Sequence, residues 1–322
     1  MSEQPEPPLI PRSDQVPPGT ALMSNPDVVE WLATRIRKAE PTAAMRFGDS
    51  EARLLGAGTE GFPVDQTADM LEREAGIPFT SEDVLELQSR VALAFDQADI
   101  LGIRYRAQFA NEGKQARVAL LASRHAKLAR IQGPPVPLSR CLVSYAIADA
   151  LPEMLAGRRA SVISCRDLKP ILEGDWGLDD VASYQVPSQA GFRDIDGEYE
   201  AAMHGERIWP DIHAQIRSSL HVRERGEVFL VGAGVFGKDL CIEVRRRGGI
   251  AVDLGSALDH IAGKLTRGPE RRALELHNAG MSVPEIAAEM RRIYRTEVDE
   301  DAVGKRLGEI LAEIGESPAA SS

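Results

Sequence analysis

Aromatic residues are scarce in this chain, at 5% of 322 residues, and cysteine is scarcer still, with three. Few rings leave few platforms on which single-stranded bases can stack. Cys141, Cys165 and Cys241 are odd in number and far apart, with no Cys-x-x-Cys spacing. That pattern excludes a disulfide framework and a structural zinc site, and it fits buried thiols in a reducing compartment. Basic charge is also short: 38 Lys and Arg face 49 Asp and Glu, a formal net charge of -11. Such an acid excess works against whole-protein binding to a phosphate backbone or an anionic membrane. No apolar run is long enough to span a bilayer. The opening MSEQPEPPLIPRSDQVPPGT lacks the basic and apolar segments of a secretory signal. Its prolines and acids predict a disordered tail over residues 1–24. The expectation is a cytoplasmic protein.

What the chain does have is the 43% hydrophobic and 27% charged content of an ordinary globular protein. Val28, Val29, Trp31, Leu32 and Ile36 recur at helical spacing, with Asn25 able to cap and Pro26 suited to the first turn. Residues 43–47 read as a short strand, broken by Gly48. Residues 81–98 read as a helix capped by Ser81, with Val84, Leu87, Val91 and Leu93 on its apolar stripe. Further strands are expected at 99–103, 160–165, 227–231 and 250–254, with helices at 140–155, 208–220 and 238–247. Alternating strands and helices predict an α/β fold, a mostly parallel Rossmann-like sheet covered by helices on both faces, over residues 25–267. Residues 268–316 differ. They read as three short helices with a glycine turn after the first; Ser282, Pro284 and Glu285 open the second and Asp299 the third. This predicts a small all-α module of helix-turn-helix type, followed by a frayed tail over 317–322.

Three motifs can carry chemistry. In MRFGDSE, Asp49 and Glu51 stand one residue apart on a turn after a strand, where two carboxylates can share a hard divalent cation. Arg46 beside them can contact a phosphate. The competing reading makes Asp49 a helix cap and Glu51 a first-turn acid. In VFLVGAGVFGKDL, Gly232, Gly234 and Gly237 follow a strand and precede a helix, as in a pyrophosphate-binding turn. The same glycines equally suit a tightly packed strand-to-helix turn. In GGIAVDLGSALDHIAGK, Asp253, Asp259 and His260 are candidates, in that order, for a general base or for ribose contacts.

Taken together, RFGDSE, YQVPSQAG at 184–191 and FLVGAGVFGKDLCIEVRRRGGIAVDLGSALDHIAGK resemble the conserved blocks of the GT-D (DUF1792-like) glycosyltransferases. Ser50 stands where that family usually has glycine. The resemblance implies that Asp49 and Glu51 bind Mn²⁺ or Mg²⁺ and the donor diphosphate. Arg46 and Gly48 belong to the same loop, and Gly232, Gly234 and Gly237 line the cleft for a nucleoside-diphosphate sugar. It implies transfer to an acceptor that is a glycan, a protein or a nucleic acid. Two other classes compete. An NAD(P)-dependent oxidoreductase would use the glycine turn and ignore Asp49 and Glu51. A DNA-binding regulator would use the C-terminal module, where Arg291, Arg292, Arg295, Lys305 and Arg306 are opposed by Glu285, Glu289, Glu297, Asp299, Glu300 and Asp301. A clamp for a partner protein is favoured over DNA there.

Overall fold

In the computed structural model of the chain, the described residues are 21–23, 25–46, 48–58, 63–103, 127–130, 143–264, 266, 273, 276–277, 280–294 and 300–313. They fall into two compact units, with the division after Ala262.

The larger unit is built on one sheet. Its strands are β1 (Ala21–Met23), β2 (Thr42–Arg46), β3 (Ile100–Ile103), β4 (Lys127–Arg130), β5 (Arg159–Ser164), β6 (Asp180–Gln185), β7 (Val228–Gly232) and β8 (Ile250–Asp253). They lie in the order β1-β4-β3-β2-β8-β7-β5-β6, and every pairing is parallel. The predicted α/β class with a parallel sheet is therefore observed. β1 to β4 occupy one half and β5 to β8 the other. The β2–β8 pairing joins the halves, with Thr42 opposite Ile250 and Ala44 opposite Val252. In open α/β sheets, the crevice beyond the strand C-termini at such a switch is where ligands bind.

Both faces of this sheet are buried, so its strands read as continuous apolar runs rather than alternating ones. Ala43, Met45, Phe229 and Val231 pack on one face with helices α2 (Asp49–Leu55), α3 (Val64–Ala75) and α4 (Ser81–Gln97). Ala44, Val228, Leu230 and Val252 pack on the other with α1 (Asn25–Arg37) and α5 (Val143–Leu155). The remaining helices of this unit are α6 (Lys169–Gly174), α7 (Glu198–Ala201), α8 (His213–Ser219), α9 (Gly237–Arg246) and α10 (Ala257–Ile261). No helix is long and apolar enough to cross a membrane among the described residues.

Several local expectations change. β1 lies within residues 1–24, the stretch read as a tail, and extends the sheet through pairing with β4. Thr80, not Ser81, caps α4: its hydroxyl accepts from Asp83 N–H at 3.1 Å. Leu93 is half exposed, while Val84, Leu87 and Val91 are buried as the stripe requires. β6 (DVASYQ) went unread because only Val181 is fully buried toward its N-terminal end, so hydrophobicity barely marks it. The helix expected over 208–220 is observed in two pieces, a π-helical segment at Ile208–Ile212 and the α-helix from His213, with a kink where Trp209 takes extended φ and ψ. Arg104 and Arg106, considered as phosphate contacts, lie outside the described residues.

The smaller unit holds α11 (Val283–Tyr294) and α12 (Glu300–Glu313). One arm of the predicted capping box is present: Ser282 N–H donates to the Glu285 carboxylate at 2.8 Å, and the Ser282 hydroxyl donates to the same oxygen at 2.7 Å. Gly280 turns the chain with φ 84. Ala273, Leu276, Ile286, Ala287, Met290, Val303 and Leu307 form a separate small core. Most of the first expected helix, and the side chains of Arg291, Arg292, Arg295 and Arg306, lie outside the described residues.

Candidate active site

The motif residues converge at the C-terminal ends of β2, β8 and β7. Arg46 ends β2, and its backbone N–H donates to Asp253 Oδ2 at 3.0 Å across the β2–β8 boundary. Arg46 Nε lies 3.6 Å from Asp253 Oδ1, is buried, and has no hydrogen-bond partner. About a fifth of the Arg46 side chain is exposed. Its guanidinium rests on Gly255, which follows β8 with φ +50; a Cβ there would stand 1.5 Å from one terminal nitrogen. Glycine at 255 thus leaves the space that Arg46 fills.

Gly48 precedes α2, and its N–H donates to Glu51 Oε2 at 2.9 Å. Glu51 Oε1 lies 3.0 Å from Lys238 Nζ, in the first turn of α9. The same ammonium donates to Asp253 Oδ2. Lys238 is fully buried, and Glu51 and Asp253 are nearly so. Burial alone would lower the Lys238 pKa; the Asp253 and Glu51 carboxylates outweigh it and hold the ammonium protonated. Burial likewise opposes ionisation of Asp253, and Lys238 and Arg46 reverse that and lower its pKa. Two acids and two cations therefore balance in one dry cluster. Ser50 lies inside α2 and donates to Glu74, so the helix accommodates serine where the family has glycine.

This arrangement bears directly on a divalent ion. Asp49 opens α2, but its side chain lies outside the described residues. Glu51 commits one oxygen to Gly48 and the other to Lys238, whose ammonium already fills the point between Glu51 and Asp253. Among the described residues, no three His, Cys, Asp or Glu side chains converge on one point. As placed, Glu51 does not fit a metal ion; it is the first-turn acid of the competing reading, with Gly48 rather than Asp49 at the N-cap.

The glycine turn connects β7 to α9 through Gly234–Phe236. A Cβ at Gly232 would stand 2.8 Å from Leu258, and one at Gly237 would stand 2.9 Å from Val231. Gly234 has φ +55 and a Cβ there would be 3.9 Å from Gln189 Nε2. Close packing and turn geometry account for these three glycines. Asp253, a candidate for ribose contacts, is already held by Lys238.

A second charged cluster lies along the same edge and was not read from the sequence. Arg166, after β5, is buried and donates through Nε to Asp259 Oδ1 and through NH1 to Asp196 Oδ1, both at 2.7 Å; its NH1 lies 3.3 Å from Glu200. Ser188 Oγ donates to Asp196 Oδ2, and His204 Nε2 lies 2.7 Å from the same oxygen. Asp259, a candidate base, is thus an ion-pair partner of Arg166. His260 is exposed on α10. Lys238 had a legible signal, since it directly follows Gly237 and so enters the first helical turn facing the strand ends. Arg166 to His204 had none, because their spacing carries no motif.

No curated protein matches the chain. Among solved structures, it is similar to a selenomethionine-substituted domain of unknown function 1792, at 12% identity and a TM-score of 0.43 over 76% of this chain and 83% of that one. A second, whose title gives that domain a distinct glycosyltransferase fold, shows 13% identity and a TM-score of 0.42 over 76% and 83%. A third, a glycosyltransferase (DUF1792) from Streptococcus sanguinis, shows 13% identity and a TM-score of 0.42 over 77% and 87%. The model of the GT-D fold-like domain matches residues 23–261, which cover β2 to β8 and both charged clusters. The chain belongs to the GT-D-like family.

Proposed function

We propose that the chain is a glycosyltransferase that takes its sugar from a nucleoside-diphosphate donor and passes it to a hydroxyl acceptor. The observation that carries this reading is Arg46. It is a partly exposed guanidinium at the strand ends of the sheet's switch, with a buried Nε that lacks a hydrogen-bond partner. A guanidinium so held suits the paired oxygens of a diphosphate. Glu51 holds Lys238, Lys238 holds Asp253, and Asp253 holds the Arg46 backbone, so the strand end that carries the cation is fixed before the donor arrives. Charge that develops on the departing diphosphate then meets a preorganised partner, which costs no reorganisation during reaction.

The family resemblance also implies Mn²⁺ or Mg²⁺ at Asp49 and Glu51. Such an ion would supply Lewis-acid stabilisation of the leaving diphosphate. Glu51 would have to exchange Lys238 for it. Turnover of UDP-glucose, UDP-galactose and UDP-N-acetylglucosamine, with Mn²⁺ or with EDTA, tests both parts. Release of UDP from one of these supports the donor class. Loss of that release in EDTA supports the ion, and full activity of an Asp49→Ala/Glu51→Ala variant rules out the assigned ligands. The acceptor is proposed to be macromolecular, with the C-terminal unit recruiting it.

A further inference from the structure

The transfer needs a group to take the acceptor's proton, and the acids considered so far are engaged. Asp253 is held by Lys238 and Arg46, and Asp259 by Arg166. Lys238 and Arg46 push the Asp253 pKa down, which makes it a weak proton acceptor, and Asp259 spends an oxygen on the Arg166 guanidinium.

The Arg166 cluster offers another. Asp196 is almost wholly buried, while His204 keeps 30% of its side chain exposed. Burial opposes ionisation of Asp196, and hydrogen bonds from Ser188, His204 and Arg166 overcome it, so the carboxylate stays charged. An ionised carboxylate can only accept. His204 Nε2 must therefore carry the proton of the 2.7 Å bond, and in the neutral ring Nδ1 is left as the basic nitrogen. Ser188 Oγ also spends its proton on Asp196, which removes it as a nucleophile.

Position supports the same role. Ser188 and Gln189 follow β6, and Gln189 lies against the turn at Gly234. Asp259, the far partner of Arg166, stands on the segment that begins at Asp253 and carries Gly255 beneath Arg46. The imidazole is thus tied to the edge that holds Arg46.

We propose that His204, oriented by Asp196, is the general base of the transfer, an inference that rests on the proposed function. Nδ1 takes the proton of the acceptor hydroxyl as its oxygen bonds to the anomeric carbon. The bond from that carbon to the phosphate oxygen breaks, and its electron pair leaves with the nucleoside diphosphate, opposite Arg46. With water as acceptor, the same step hydrolyses the donor.

The test uses the full chain, the three UDP-sugars above, and water or octyl glycosides as acceptors. His204→Ala and His204→Gln should lower kcat by roughly 100-fold or more, with donor KM changed less than about threefold. Added imidazole should restore part of the turnover of His204→Ala, which no purely structural role explains. Turnover of His204→Gln within about threefold of the unaltered chain would overturn the assignment. So would a loss that imidazole fails to rescue in a variant that still binds donor and melts normally. If the unaltered chain turns over none of the donors, the donor assignment itself fails and this inference goes with it.

Discussion

The backbone N–H of Arg46 donates to the carboxylate of Asp253 at 3.0 Å, across the pairing that joins the two halves of the sheet. Asp253 thereby fixes where the first strand of the motif ends. Lys238 in turn bridges Asp253 and Glu51, so one buried ammonium ties α2, β8 and α9 together.

Removing that ammonium should be costly. Lys238→Met leaves two buried carboxylates without their shared cation, and breaking a buried pair in this way costs about 3–5 kcal/mol. A urea melt at pH 7 should show the loss. A midpoint within error of the unaltered chain would mean that the cluster is hydrated rather than dry.

Gly255→Ala should separate binding from folding. Its φ of +50 costs an L-residue roughly 1–2 kcal/mol, and its Cβ would collide with the Arg46 guanidinium. Donor KM should rise at least about tenfold (1.4 kcal/mol of lost binding). Unchanged KM with lowered melting temperature would show that Arg46 is not a donor contact.

Acid should weaken the fold in two stages. Burial drives the His213 pKa down to about 4 from 6.5; Arg90 and Arg217 add to that, and Asp239 and Glu86 oppose it. A group with a depressed folded pKa contributes stability that is full above its unfolded pKa and is lost as pH falls through the folded one. The first decline should therefore run from about pH 6.5 to 4, and His213→Asn should flatten it. Asp253 and Asp196, also depressed, contribute stability above their ordinary value of 3.8 and lose it at lower pH still. Urea midpoints from pH 7 to pH 2 test both stages.

Much of this architecture was legible because burial on both sheet faces leaves a plain mark in β2, β7 and β8. β6 escaped because its fully buried positions are few. At Gly48, Gly232 and Gly237 the space that a Cβ would take is occupied by Glu51, Leu258 and Val231, contacts that no glycine spacing announces. Glu51 illustrates the deeper limit. Its spacing from Asp49 suits a metal, but its partner Lys238 lies 187 residues away in sequence, and only the fold brings the ammonium to 3.0 Å. The Arg166 cluster is assembled from three separate stretches, at Arg166, at 188–204 and at Asp259, so no local pattern announces it.

The separate core of the C-terminal unit leads to a prediction for the acceptor. Deleting residues 268–322 should leave UDP-sugar hydrolysis intact and abolish transfer to a macromolecular acceptor. Loss of hydrolysis as well would show that the unit serves the donor site itself.

The central claim is that Arg46 receives a nucleoside diphosphate, and calorimetric titration tests it most directly. UDP and the UDP-sugars should bind the unaltered chain and lose at least about tenfold in affinity in Arg46→Ala, titrated at a temperature where both proteins are folded. Equal affinity in both proteins would contradict the account.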